Sequence, residues 1–375
     1  MSTAVAGRFF VPGPTEVRPE IFQAMTGPMI PHRGKAFESL FGELQVGLRE
    51  VFGTTHPVLV STSSATGMME AAVRCAPAGA VLALVNGAFS ARFADIAGAC
   101  GRDTQVLEVP FGAVVALAEI ENALAARQFA VVLVVHSETS TGAKSDVRAV
   151  TELARRHGAL CLVDSVSGIG GIPLKFDEWD LDFVLTGSQK ALALPPGLAF
   201  AVASERYLQY AASNPTRGRY FDIPELLDFA RRNQTPSTPA LSLLYALKAQ
   251  LETIRAEGMP ARWARHAAMA TITAEWVGSA ATRTGHALGI LAAERCRSET
   301  VTAITLPPYL KGPDIVAALT AKGYTIGAGY GSLNAGTFRI GHMGDHTESG
   351  VHGCLAALSE CLLEIPSPAR GGSSG

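Results

Sequence analysis

Two residues of this chain have the type and the setting for chemistry at the open end of a sheet. Lys190 follows the apolar run 183–185, which breaks at Thr186-Gly187-Ser188-Gln189. Asp164 ends a second apolar run, 159–163, and a small-residue stretch from Ser165 to Gly171 follows it. If both runs are parallel strands, the two polar groups share one rim, where open parallel sheets present ligands. A partly desolvated lysine there loses its proton and attacks a carbonyl carbon to form a Schiff base. A single lysine after a strand is more often a solvated residue. The carboxylate on the same rim shifts the balance toward chemistry.

A third piece lies upstream. Ser61-Thr62-Ser63-Ser64-Ala65-Thr66-Gly67 precedes an apolar helical run. Small hydroxyl residues at a helix start leave backbone N–H groups free, and the helix dipole favours an anion beside them. On its own such a stretch is an ordinary N-cap. With Lys190 and Asp164 it reads as a phosphate cradle, and no lysine follows the glycine as a triphosphate loop would require. A lysine for an aldehyde and a carboxylate for a protonated pyridine nitrogen make the arrangement for pyridoxal 5'-phosphate, whose ring acts as an electron sink.

Three spaced segments carry a resemblance: Val163-Asp164-Ser165-Val166-Ser167, Thr186-Gly187-Ser188-Gln189-Lys190-Ala191 and Pro195-Pro196-Gly197. Together they resemble the class V aminotransferases, especially the alanine/serine–glyoxylate (serine–pyruvate) branch, from about residue 12 to about residue 363. The resemblance implies that Ser64, Ala65 and Thr66 form the cradle and that Gln189 contacts the phosphate. It implies that Thr139 bonds the phenolic oxygen of the cofactor. Phe89, after the strand Val81–Val85, is a flat ring able to stack on the pyridine, and the family often has an aromatic here. In relatives the segment matching Thr235-Pro236-Ser237-Thr238-Pro239 crosses a dimer interface. Thr238 is the best match for capping the partner's phosphate, and Thr235 stands where relatives can carry a tyrosine. Arg339 matches the arginine that binds the substrate carboxylate, through a two-pronged hydrogen bond that a guanidinium suits. The backbone of Gly13 touches the same carboxylate in relatives. Arg33, in a His-Arg pair found in some branches, either adds charge for an acidic substrate or is a solvated loop residue.

These residues need a frame. The 375 residues are 48% hydrophobic and 17% charged, which suits a parallel sheet covered on both faces. Apolar runs at 58–60, Val81–Val85, 105–109, 130–135, 159–163, 183–185 and 199–202 alternate with helical patterns at Lys35–Phe52, 67–75, 91–99, 116–125 and Val147–Arg156. The expected fold is α/β: a mostly parallel seven-stranded sheet flanked by helices, matching the fold-type I pyridoxal phosphate enzymes that the resemblance implies. Residues 207–239 read as irregular, and helices are expected at 240–257 and 261–278. A strand–helix–strand–strand–helix rhythm from 300 to 363 then predicts a smaller α+β unit. The expected division is an N-terminal arm (1–17), a large cofactor-binding domain (18–257), a small C-terminal domain (258–366) and a disordered Gly/Ser-rich tail (367–375).

The composition argues against several classes. A net charge of −2 gives no sign of nucleic acid or an anionic membrane as partner. No apolar run approaches a membrane span, and the first ten residues lack the pattern of a secretory signal. Six cysteines without CxxC spacing read as reduced thiols, so a cytoplasmic setting is expected. No metal is expected. The chain is therefore read as a pyridoxal phosphate-dependent aminotransferase, working as a homodimer with shared sites. It would carry an amino group from alanine or serine to glyoxylate or pyruvate by a ping-pong route. A 2-aminoethylphosphonate–pyruvate aminotransferase is the alternative, and a lyase or desulfurase a more distant one. A desulfurase needs a cysteine on a loop facing the cofactor, and 324–338 has none.

Overall fold

The structure, a computed structural model, describes residues 7–215 and 217–367. Its strands in chain order are β1 (Phe9–Phe10), β2 (Leu59–Ser61), β3 (Val81–Val85), β4 (Thr104–Glu108), β5 (Val131–Val135), β6 (Ser137–Glu138) and β7 (Ala143–Lys144). They continue with β8 (Leu160–Asp164), β9 (Phe183–Gly187), β10 (Ala199–Ala203), β11 (Gly289–Ile290), β12 (Val301–Thr305), β13 (Thr325–Ala328) and β14 (Thr337–Gly341).

The seven apolar runs form one seven-stranded sheet in the order β2-β10-β9-β8-β5-β3-β4. Only β10 runs against its neighbours; the pairs β3–β4, β3–β5, β5–β8 and β8–β9 are all parallel. Six of the seven strands are buried at every residue and are mostly apolar, because helices cover both faces. The strand order jumps from β8 and β9 to β5 and β3, so the C-terminal ends of β3, β5, β8 and β9 open onto a common rim. Asp164 is the last residue of β8 and Lys190 comes three residues after β9.

The expected helices form, with ends shifted by up to three residues: Lys35–Phe52, Ala65–Cys75, Ala88–Ala99, Leu117–Ala126 and Val147–Arg156. The reading of 207–239 as irregular needs correction. Two helices lie there, Glu205–Ser213 and Ile223–Arg231. Each starts on a side-chain cap, Ser204 accepting from Tyr207 N and Asp222 accepting from Glu225 N, and Pro224 fits the first turn of the second. Both are nine residues long and bury one stripe, so their polar faces masked the pattern. The helix expected at 261–278 is also longer. It runs Met259–Thr284, passes through Gly278, and ends at Gly285 in the left-handed region.

The second sheet has the order β1-β13-β14-β12-β11. Its first strand belongs to the N-terminal segment: Phe9 and Phe10 pair in parallel with Thr325 and Ile326. Phe10 is fully buried in the core of this second sheet, with Ile304, Phe338, Ile340 and Leu358. The core of the first sheet is a separate and larger cluster, from Ile21 to Ile254. The two are joined through the helix Met259–Thr284. Its Arg262 is fully buried and donates to Gly170 O, Ala191 O, Glu257 and Asp345. No helix among the described residues is long and apolar enough to cross a membrane. The tail expected to be disordered lies outside the described residues, except Ser367, whose hydroxyl donates to Gly285 O.

Candidate active site

The rim of the first sheet opens into a cavity of about 390 Å³. Gly13, Ser64, Ala65, Thr66, Phe89, Thr139, Asp164, Gln189 and Lys190 all line it. These nine arrive from six separate stretches of chain, and the fold brings them together.

Lys190 is 7% exposed. Its Nζ donates to Pro12 O and stands 5.8 Å from the centre of the Phe89 ring. Burial pushes its amine down to about 8, and the nearby Arg339 guanidinium pushes the same way, while Asp164 and Glu138 pull it back. An amine near 8 is available as a nucleophile and base close to neutral pH. The approach of this side chain needs Gly13: φ there is +118°, and an added Cβ would collide with the Lys190 side chain.

Asp164 Oδ1 accepts from Val166 N at 2.8 Å, and among the described residues Oδ2 takes no hydrogen bond. Burial lifts this carboxyl to about 7; the Val166 N–H opposes the rise and Glu138 adds to it. A buried carboxyl in this state is poised to gain from a cation placed against it. Beneath it, His136 Nδ1 lies 2.9 Å from Ser165 Oγ, and burial pushes that imidazole down to about 3, so it is neutral.

The helix Ala65–Cys75 begins at Ser64, which is extended (φ −78°, ψ 162°) and makes no side-chain cap. The N–H groups of Ala65 and Thr66 donate to no acceptor among the described residues. Gln189 reaches the same place: a Cβ on Gly187 would meet Gln189 Oε1 at 2.7 Å and Ala65 Cβ at 3.3 Å. Free backbone donors at a helix start beside an amide make an anion cradle.

Phe89 lies in the first turn of the helix Ala88–Ala99, after β3. Glu138, fully buried, holds that turn. Its carboxylate accepts from Phe89 N, Ser90 N, Ser90 Oγ, Ser140 N and Ser140 Oγ. Thr139 Oγ1 bonds Ser167 Oγ, and Thr139 O accepts from Arg339 Nη1 at 3.1 Å. Arg339, in β14, also donates from Nε to Ala328 O at 2.9 Å and lies over the Tyr330 ring at 5.6 Å. The second sheet thus brings a guanidinium up behind the cavity-lining Thr139 and Tyr330, although Arg339 itself does not line the cavity.

Three expected residues lie elsewhere within this chain. Arg33 donates to Thr235 O at 2.7 Å and Pro236 O at 2.9 Å and stacks over Phe229. Thr235 and Thr238 line a separate small hollow with Thr62 and Tyr220.

A family profile for aminotransferase class V matches residues 20–344. This chain belongs to the class V aminotransferases. It is 34% identical over 373 residues to the L-aspartate–glyoxylate aminotransferase of Paracoccus denitrificans, covering 97% of this chain and 93% of the relative. It is equally similar, 34% over 372 residues, to the serine–glyoxylate aminotransferase of Methylorubrum extorquens, covering 95% of this chain and 90% of that one. Among solved structures, the alanine–glyoxylate aminotransferase of Nostoc sp. superposes with a TM-score of 0.88 at 30% identity, covering 96% of this chain and 97% of the other. The architecture is the fold-type I arrangement of these enzymes, and the chain is an aminotransferase that passes an amino group to a 2-oxo acid.

In this aminotransferase the structure adds three residues that the sequence reading did not single out. Arg92 and Tyr330 line the cavity, and Glu138 anchors Phe89 from behind. Arg92 follows Phe89 by three positions on one helix, a spacing that puts both on the same face and was the available signal. None of the six cysteines lines the cavity.

Proposed function

We propose that this aminotransferase uses pyridoxal 5'-phosphate to move an amino group from a small amino acid, alanine or serine, to glyoxylate or pyruvate. The carrying observation is the convergence of a desolvated amine, a buried carboxyl and a free N–H pair on one cavity. These residues fit the cofactor. Ser64, Ala65, Thr66 and Gln189 would hold its phosphate, Asp164 its ring nitrogen, Thr139 its phenolic oxygen and Phe89 the face of its ring. When bound, it supplies an electron sink for the charge left on the substrate α-carbon.

The chain's own residues do the rest. Asp164 keeps the ring-nitrogen proton in place by its negative charge. Lys190 Nζ would hold the cofactor's aldehyde carbon between turnovers. Once released, the amine would take the α-proton as a base and return it two atoms further on as an acid. Arg339 and the Gly13 backbone fix the substrate carboxylate, so that the breaking C–H bond stays aligned for Lys190. The glyoxylate-dependent activities named for the relatives support glyoxylate as acceptor. Arg33 does not support the phosphonate alternative, since its Nη1 and Nη2 donate to backbone carbonyls outside the cavity.

The proposal includes a homodimer, in which the 235–238 segment of one subunit completes the cradle of the other. The hollow holding Thr235 and Thr238 opens beside Thr62, two residues before the cradle. A division at about residue 258 goes with it, as does a reducing, cytoplasmic setting, which six free thiols support. The test is a screen of amino donors against glyoxylate and pyruvate, read as 2-oxo product, with sedimentation at assay concentration. Alanine or serine with glyoxylate should give product from a dimer. Turnover with neither acceptor would overturn the functional reading, and full activity in a monomer would overturn the shared site.

A further inference from the structure

Arg92 presents a cation to the cavity that the transamination chemistry leaves without a task. It lies in the helix Ala88–Ala99, three residues after Phe89, and lines the cavity wall. Its Nη2 donates to Tyr330 Oη at 3.0 Å, and its guanidinium stacks over the Phe89 ring at 4.9 Å. Nε and Nη1 donate to nothing among the described residues, and no carboxylate pairs with the group. Other arginines of the chain close on carboxylates at comparable exposure, as Arg74 does on Glu70 and Arg155 on Asp182. A part-buried guanidinium stacked on one aromatic ring and bonded to the hydroxyl of another has given up some hydration without gaining a counter-charge, and an incoming anion restores the balance.

The arrangement also has a direction. Phe89 and Tyr330 pack at 5.3 Å between centroids. Arg92 lies over Phe89, and Arg339 lies over Tyr330 at 5.6 Å. Two guanidinium groups therefore flank one aromatic pair, and Lys190 Nζ lies 5.8 Å from the Phe89 ring. The Tyr330 hydroxyl fixes Arg92 at one nitrogen, which orients the fork and leaves its other donors for a ligand. Arg92 on the cavity wall and Arg339 just behind the lining residue Thr139 match a molecule with two carboxylates, the geometry that forked donors recognise best.

We propose that Arg92, oriented by Tyr330, is a second carboxylate-binding point, and that the site takes dicarboxylic amino acids as donors with the distal carboxylate on Arg92. This rests on the aminotransferase reading above and names a further substrate class for the same site. Alanine and serine leave Arg92 unused; aspartate or glutamate employs it.

The test has two arms. In the first, calorimetry on the holoenzyme compares succinate, with two carboxylates, against propionate, with one. Wild type should prefer succinate, and Arg92→Gln should reduce that preference by on the order of tenfold or more, as expected for losing one charge-assisted pair. In the second, kcat/KM is measured for L-aspartate, L-glutamate and L-alanine with glyoxylate. The ratio of the better acidic donor to alanine should fall by a similar factor in Arg92→Gln. Tyr330→Phe, which keeps the ring and removes the hydroxyl, should lower both ratios by less. No succinate preference in wild type, or an equal loss for one and two carboxylates in Arg92→Gln, would overturn the proposal. If no donor is turned over at all, the functional reading fails, and the calorimetric ratio still decides the subsite.

Discussion

Replacing Lys190 by methionine should stabilise the cofactor-free chain near neutral pH and lose that advantage in alkali. Lys190 in the fold sits at about 8, against 10.5 for a free lysine. A pKa lowered on folding means that the unfolded chain binds more protons between those values. Stability therefore rises with pH across the window from about 8 to 10.5, and the cost of burying the charged amine is fully present below it. Integrated, that cost is about 3 kcal/mol at pH 7.5 and under about half a kcal/mol at pH 10.5. Methionine has nearly the same length and no charge, so it escapes the cost. It also leaves Pro12 O without its donor, a loss of about 1 kcal/mol that does not depend on pH. The decisive quantity is thus the change in the variant-minus-wild-type difference between the two pH values. With roughly 2.1 cal/mol/K of unfolding entropy per residue, 375 residues convert it to a Tm change of roughly 3–4 °C. Asp164 does not confuse the comparison. Its carboxyl, raised from 3.8 to about 7, loses stability as pH rises through that lower window, and both proteins carry it. Thermal scans of the stripped proteins at pH 7.5 and 10.5 measure the effect. A flat difference, or one that grows with pH, would refute the claim that this amine is desolvated.

Three further outcomes follow from the geometry. Gly13→Ala forces a side chain into the space of Lys190 at a backbone angle costing about 1–3 kcal/mol, and misplacing the amine by an ångström should reduce kcat by on the order of a hundredfold. Stopped-flow single turnover checks this, and unchanged kcat would remove the role given to that close approach. Asp164→Asn keeps the shape but not the charge, so kcat should fall by about a hundredfold or more with cofactor still bound; the bound fraction is read from the visible absorbance of the protein, and a variant of near-normal rate contradicts the assignment. Arg339→Ala should lower kcat/KM for both half reactions by roughly a hundredfold, about 3 kcal/mol, and Arg339→Lys should restore little, because a point charge does not replace the fork.

The sheet was legible because its strands are buried on both faces. Runs such as Val81–Val85 and Val131–Val135 contain nothing but apolar residues, and that needs no partner information to recognise. Lys190 and Asp164 were legible for the same reason, as polar residues just where such runs stop. The helices Glu205–Ser213 and Ile223–Arg231 were not, because nine residues give one buried stripe and the charged remainder dominates. The strand Phe9–Phe10 was not, because a two-residue strand has no period, and its partner β13 lies more than 300 residues away. Glu138 was hidden by its own surroundings. Among hydroxyl residues it reads as part of a turn, whereas in the fold its carboxylate collects five donors and fixes the ring of Phe89. Arg92 and Tyr330 meet only after the second sheet closes on the first, 238 residues apart in sequence.

That closure is what the chemistry demands most. Lys190 belongs to the first sheet and Arg339 to the second, and in the proposed mechanism the substrate would touch both with the accuracy of a near-attack geometry. One fully buried side chain connects the parts. Arg262 binds Ala191 O, next to the lysine, at 2.7 Å, and Gly170 O, in the loop after Asp164, at 3.1 Å. It also pairs with Asp345, six residues beyond Arg339, at 3.0 Å, and Asp345 in turn takes Arg18 and Gln250. Arg262 and Arg18 hold the Asp345 carboxyl below its ordinary range once its burial is overcome. A buried ion pair of this kind adds little net stability compared with an apolar replacement. Its effect is geometric. A planar fork satisfies two carbonyls and two carboxylates in one arrangement only, so a shift of either sheet would leave buried polar groups unpaired at about 1–3 kcal/mol each. The lysine loop, the aspartate loop and the arginine strand therefore move together or not at all.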